Sequence, residues 1–215
     1  DPYVVDLPDF IRNILVNKII VPFRSKKSLE AYEKVWTDEG SPLQFHSEAL
    51  ANKLAMKFPN LKVALAMRYK GKSIDDVYSD LIAEGCRKIL VLPLFPQYAR
   101  ATTGSIIAEV DKAYSKINIE HKVYCLPPFY NNELFIKSWA QRISNSESYK
   151  SAEHLVMSYH SLPVRQLEKG NYGCRKSECF RAQPCPNFIN SPCYRSQCYE
   201  TSKAIAKELG IADSD

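Results

Sequence analysis

From residue 62 onward the apolar positions switch repeatedly between two periods. Short runs rich in Val, Ile and Leu at 62–67, 88–94, 121–126 and 154–159 read as strands, each apolar enough to be buried on both faces. Between them, apolar residues recur at three- and four-residue spacing, the mark of amphipathic helices. The whole pattern predicts an α/β fold: a parallel sheet with crossover helices on both faces. In the clearest helix Ile74, Val77, Tyr78, Leu81 and Ile82 line one side, Ser73 offers an N-capping hydroxyl and Gly85 supplies the stop. A second helix is expected from 102–105 to 115 and a third from 132 to 143. Upstream, 28–36 and 47–57 carry helical spacing, and a last helix is expected over 194–209, with Gly210 just past its end. In FIRNILVNKIIVPF at 10–23, Arg12, Asn13, Asn17 and Lys18 interrupt the apolar residues, which predicts an amphipathic helix and a loop. Residues 171–192 have turn residues and cysteines but no period, and read as an irregular loop.

In open α/β sheets, ligands collect beyond the carboxyl ends of the strands. The chemistry is therefore sought at 68–69, 96–98, 127–128 and 160–161. Arg68 and Tyr69 directly follow a strand; they suit an anionic ligand, although a solvated Arg beside a packing Tyr has the same spacing. In LPLFPQYARATTGS at 92–105 a buried strand breaks at Pro96, and polar residues lead into a helix through Thr102, Thr103 and Gly104. Free backbone N–H groups at that helix start suit a carboxylate or phosphate; ordinary capping by threonine is the plainer account. His160, in SYHSLP at 158–163, stands at a strand end where an imidazole can accept a proton or bind a divalent metal, besides the structural role of most lone histidines. His46, His121 and His154 have no such setting and are assigned to structure or surface.

Composition narrows the classes. A chain of 215 residues, about a quarter charged and under half apolar, is long enough to bury its own core. The net charge of +5 is modest and the basic residues are scattered, so no nucleic-acid partner is expected, while an anionic small molecule stays open. No run of about eighteen apolar residues occurs, which argues against a membrane span. The chain opens on Asp1-Pro2 without a charged-then-apolar leader, and a cytoplasmic location is expected. Of seven cysteines, five lie between Cys174 and Cys198; clustering of this kind favours a metal site in a reducing compartment over a disulfide framework.

LPLFPQYARATTGS and SYHSLP, in this order, resemble the ferrochelatase family, and AYEKVWTDEGSPL at 31–43 and AMRY at 66–69 extend the likeness along most of the chain. The resemblance is to the N-terminal two-thirds of that family. It implies the first of two flavodoxin-like domains facing a porphyrin cleft, and an enzyme that inserts Fe²⁺ into protoporphyrin IX or coproporphyrin III to make haem. It assigns His160 to taking a pyrrole proton or guiding the metal. Arg24, Ser41, Arg68 and Tyr69 are assigned to the propionates, with Tyr98 and Ser105 in the matched loop. The apolar N-terminal stretch becomes a lip that touches the inner face of a membrane peripherally. Where the family commonly has a Ser before Thr-Thr-Gly this chain has Ala101, and the position of the animal-type cluster ligand falls on Arg100, which excludes that cluster. The resemblance also implies that the first strand precedes Asp1 and that the second domain, with the acidic partner of His160, follows Asp215. This fragment alone is then expected to be inactive.

Cys174-x4-Cys179, Cys185 and Cys193-x4-Cys198 offer more thiols than the four ligands of a [2Fe–2S] cluster or a structural Zn²⁺, and neither spacing is a CxxC knuckle. The segments NYGCRKSECF and PCYRSQCYETSKAIAKELGI resemble the internal insert of bacterial ferrochelatases that carry a [2Fe–2S] cluster. The expected ligands are Cys174, Cys179, Cys193 and Cys198, with Cys185 in reserve and Zn²⁺ as the alternative metal. The expected division is a chelatase-like domain over 1–160 and a cluster loop plus helix over 161–215. A sensing module that binds porphyrin without catalysis is the reading from another class.

Overall fold

The structure is a computed structural model that describes residues 3–5, 8–69, 71–169 and 193–211. The expected loop at 171–192, with Cys174, Cys179 and Cys185, lies outside the described residues. Two compact units emerge, one of Asp1–Ile89 with Ile106–Lys122 and the other of Leu90–Ser105 with Val123–Asp215.

In the first unit the chain is helical from residue 9 to residue 33. Helix α1 (Asp9–Ile14) passes through a π-helical stretch, Leu15–Ile20, into α2 (Val21–Glu33). The expected loop near residue 23 is therefore replaced by helix. Pro22 has no N–H for the i→i−4 ladder, and the chain widens into π geometry just before it. Phe10 and Phe23 are 76% and 80% exposed. Helix α3 (Pro42–Lys57) starts on Ser41 with Pro at its first position, where a missing N–H costs nothing. Helix α4 (Ile74–Ala83) follows its sequence closely. The Asp76 N–H donates to Ser73 Oγ at 3.1 Å. At the other end Gly85 takes φ 90°, and the Gly85 and Cys86 N–H groups reach back to the Ile82 and Leu81 carbonyls in a Schellman motif. Val77, Tyr78 and Ile82 are buried, together with Val110 and Ala113 of α5 (Ser105–Ser115). His121 closes this core. Its Nε2 lies 2.6 Å from the Tyr78 hydroxyl and its Nδ1 2.5 Å from the Ile119 carbonyl. The carbonyl can only accept, so Nδ1 carries a proton, while Nε2 and the Tyr78 hydroxyl share the other bond. His121 is structural, as expected, while His46 and His154 lie at the surface.

Two short strands, β1 (Lys88–Val91) and β2 (Lys122–Cys125), form the sheet. The Lys122 N–H donates to the Arg87 carbonyl and the Leu126 N–H to that of Val91, both at 2.9 Å. The partners advance in step, so the strands are parallel and α5 belongs to their crossover. The ladder of β1 ends before Pro93, which has no N–H to give. Burial on both faces is not seen: Leu90 and Tyr124 are 60% and 52% exposed.

The other two expected strands do not form. Among the described residues neither 62–67 nor 154–159 has a ladder partner. A β-rich run is a strand only when a neighbouring backbone takes up its N–H and C=O groups. Instead the Met67 N–H closes a turn on the Lys72 carbonyl, and Val156 is 84% exposed.

The second unit is organised by helices α6 (Glu133–Ser144) and α9 (Tyr194–Glu208), with short helices α7 (Glu147–Lys150) and α8 (Val164–Lys169). Asn132 caps α6 through the Leu134 and Phe135 N–H groups, and Gly210 at φ 72° ends α9 in a second Schellman motif. Ile136, Ala140 and Ile205 are buried here. Among the described residues no helix is long and apolar enough to cross a membrane.

Candidate functional site

Each unit contains a group of the expected site residues. In the first, Arg68 follows the unpaired 62–67 stretch, so no ladder fixes its backbone. Its side chain is held instead. Nη2 donates to Glu109 Oε1 on α5 at 3.3 Å, and the guanidinium carbon lies 5.0 Å from the centroid of the Tyr69 ring. Lys112 approaches the other Glu109 oxygen at 3.9 Å. The Arg68 side chain is 25% exposed and Tyr69 is 70% exposed, so both reach solvent beside Glu109. Ser41 is half-buried at the head of α3, where its hydroxyl makes no capping bond. Arg24 lies on α2, and its side chain is outside the described residues.

In the second unit one face of α9 holds the matched loops. The Tyr98 N–H donates to Gln197 Oε1 at 2.7 Å, and Gln97 Nε2 donates to Thr201 Oγ1 at 3.0 Å. The Thr201 hydroxyl lies 2.9 Å from both the Tyr130 and Gln197 carbonyls, and the Phe129 N–H donates to the Pro96 carbonyl. Further round the helix, Tyr159 and Ser202 share a hydrogen bond of 2.9 Å, and the Tyr194 hydroxyl donates to the His160 carbonyl at 3.0 Å. His160 thus owes its place to side chains of α9 rather than to a strand, and the residue itself is exposed.

The turn after Tyr98 differs from the expected helix start. Arg100–Gly104 is π-helical, and the Thr102 and Gly104 N–H groups both donate to the Ala99 carbonyl at 3.1 Å. Those two donors are spent within the turn, which removes them from the anion cradle read from the sequence. Gly104 sits at a close approach: a Cβ there would stand 3.2 Å from the Tyr98 hydroxyl oxygen, so the tyrosine would have to give by a few tenths of an ångström. Ser105 is 1% exposed, so it shapes the turn from inside.

Cys193 is the N-cap residue of α9 and Cys198 lies in its second turn, both buried, as the expected straddling of the helix start requires. Burial pushes the Cys198 thiol up to about 11, against a downward pull from the hydrogen bond with Tyr194, and Cys193 adds to the rise. Burial, followed by the Cys198 charge, pushes the Tyr194 phenol up to about 12. Cys193 adds to the cost of a thiolate at Cys198, and among the described residues no group of three or more His, Cys, Asp and Glu side chains could hold a metal ion.

Comparison with known proteins decides the family. A family model described as Ferrochelatase matches residues 1–215. The chain belongs to the ferrochelatase family. It is 38% identical over 216 residues to the ferrochelatase of Coxiella burnetii (strain RSA 493 / Nine Mile phase I), covering 99% of this chain and 59% of that protein. It is 39% identical over 214 residues to the ferrochelatase of Legionella pneumophila subsp. pneumophila (strain Philadelphia 1), covering 98% of this chain and 62% of the relative. The chain therefore spans about three-fifths of the length of these relatives. Sequence reasoning missed three residues that organise the second unit of this ferrochelatase-family chain, namely Gln197, Thr201 and Tyr194. Gln197 and Thr201 are polar residues four apart on the helix, a spacing common on solvated faces, and only the structure shows each to be 3% exposed.

Proposed function

We propose that the protein containing this chain is a ferrochelatase that inserts Fe²⁺ into protoporphyrin IX or coproporphyrin III to form haem. Membership of the family along all 215 residues carries the reading. Each Fe²⁺ that enters displaces two pyrrole protons, so charge balances, and the site needs a base near the ring centre and walls that favour a bent macrocycle. His160 is assigned that task, or that of guiding the metal inward; its exposure and its tethered backbone suit a group that must meet a substrate. Arg68 and Tyr69 are assigned to a propionate, and Arg24, Ser41 and Tyr98 to the rest of the porphyrin. Ser105 acts through the shape of the loop.

The same reading makes the two-stranded sheet part of a flavodoxin-like domain over 1–160, followed by a cluster loop and helix over 161–215. Cys174, Cys179, Cys193 and Cys198, with Cys185 in reserve, are assigned to a [2Fe–2S] cluster, with Zn²⁺ as the alternative. Either group supplies neutralising positive charge and local order, and no step of metal insertion is routed through it. The exposed apolar residues of 10–23, Phe10 and Phe23 foremost, are assigned to peripheral contact with a membrane from the cytoplasmic side.

The test uses the full-length protein without oxygen. Porphyrin and Fe²⁺ should give haem absorbance, and His160→Ala should keep porphyrin binding while turnover falls about 10²- to 10⁴-fold, the weight of one acid–base group. Binding without turnover in the unsubstituted protein would overturn the enzyme reading in favour of a sensing module.

A further inference from the structure

We propose that Glu109 is a positioning residue for porphyrin binding, the group that holds the Arg68 guanidinium ready for a carboxylate. The inference rests on the reading of Arg68 as a propionate anchor. The stretch that leads to Arg68 has no ladder partner among the described residues, and the turn that Met67 closes on Lys72 orders the backbone but not the long side chain of Arg68. A long Arg side chain left to itself loses considerable rotamer freedom when it grips a ligand. Here contacts within the unit, Glu109 and Tyr69 among them, take up that freedom in advance. Glu109 Oε1 accepts from Nη2 at 3.3 Å, and the Tyr69 ring lies 5.0 Å from the guanidinium carbon.

Glu109 is well placed for the task because its helix is firmly seated. The next residue, Val110, is 6% exposed, and Ala113, one turn on, is 2% exposed. Glu109 itself is partly shielded, at 32% side-chain exposure, so its attraction to Arg68 is less screened than a surface pair. Lys112 at 3.9 Å balances the second carboxylate oxygen, so that Glu109 orients Arg68 without cancelling the whole positive charge of the neighbourhood. The rival account is an ordinary surface ion pair, which contributes little and leaves substrate binding untouched.

The two accounts separate in the full-length enzyme. Glu109→Gln should raise the porphyrin KM about three- to tenfold, as expected when one preorganised long side chain must be ordered at binding, with kcat within about twofold. Glu109→Asp should recover part of the loss. Binding of a porphyrin dimethyl ester, which has no carboxylates, should be unchanged by Glu109→Gln. Arg68→Ala should raise KM further, and adding Glu109→Gln to it should do nothing more, since both act through one contact. If Arg68→Ala raises KM and Glu109→Gln does not, Glu109 has no positioning role and the inference falls alone. If Glu109→Gln lowers kcat and thermal stability together and weakens the ester equally, its role is structural and the inference also falls. If Arg68→Ala leaves KM unchanged, the propionate reading fails first.

Discussion

Thr201→Val is the sharpest probe of how α9 holds the loops of the second unit. The substitution keeps the shape of a side chain that is 3% exposed and removes only the hydroxyl. Three groups meet that oxygen: Gln97 Nε2 donates to it at 3.0 Å, and the Tyr130 and Gln197 carbonyls lie 2.9 Å away. One proton serves the two carbonyls, so the native site contains two or three hydrogen bonds around one atom. The Gln197 carbonyl is a helical group and keeps its own backbone donor. The Tyr130 carbonyl and the Gln97 amide are the groups left short, on a residue that is 8% exposed in the first case. Each buried polar group without a partner costs about 1–3 kcal/mol, and partial access of water to Gln97 trims its share, which gives a loss of about 2–4 kcal/mol. Urea denaturation of the full-length protein, followed by near-ultraviolet circular dichroism, should show the midpoint fall without a change in slope. Thr201→Ser keeps the hydroxyl and loses one methyl group, so it should cost about 1 kcal/mol. If the Val and Ser variants unfold within about 0.5 kcal/mol of each other, the hydroxyl does not hold the loops and the account of α9 is wrong.

The remaining expectations concern titration and the thiols. Burial pushes the Tyr78 phenol up to about 12, with the Tyr114 charge adding to the rise. The unfolded phenol ionises near 10 while the folded one stays neutral, so its share of stability is present below pH 10 and is lost as pH rises towards 12. Tyr78→Phe should flatten the stability curve in that window; an unchanged curve, or tyrosinate absorbance at pH 10 that Tyr78→Phe removes from the folded protein, would contradict the burial argument. With its thiol near 11, Cys198 in metal-free protein should resist iodoacetamide at neutral pH, whereas exposed Cys125 should react first by mass mapping. Loading iron or zinc should release protons and protect Cys193 and Cys198 further. Equal alkylation rates with and without metal would remove both from the ligand set.

What the sequence revealed follows the range of the interactions involved. Helix α4 was legible to its last residue because Ser73, Asp76 and Gly85 act within one turn of the ends they cap. The Gly210 stop was legible for the same reason, while Asn132, read as the first residue of its helix, caps it. Strands depend on partners elsewhere in the chain, so the composition of 62–67 and 154–159 predicted an outcome that only pairing could deliver. The helix through Pro22 was hidden because a π-helical stretch absorbs a break that proline normally enforces. In the candidate site, Arg68, Tyr69 and His160 were proposed from strand-end logic combined with family likeness, although the strands expected before them do not form. Glu109 and Thr201 were not, since nothing near them in the chain announces a partner 41 or 71 residues away.

That separation has a consequence for how the chain is made. The bonds from Gln97 and Tyr98 to α9 span 104 and 99 residues. At ribosomal rates of about 5–20 residues per second, the 96–105 turn waits roughly 5–20 s before its helix has been synthesised. During that interval Gln97 and Tyr98 lack their partners on α9, just after a strand whose Leu90 is 60% exposed even in the finished fold. A nascent chain in this state is a natural client for a chaperone, and slower translation after residue 105 lengthens its exposure. Codon choice between residues 106 and 201 therefore bears on the yield of folded protein, although it alters no amino acid.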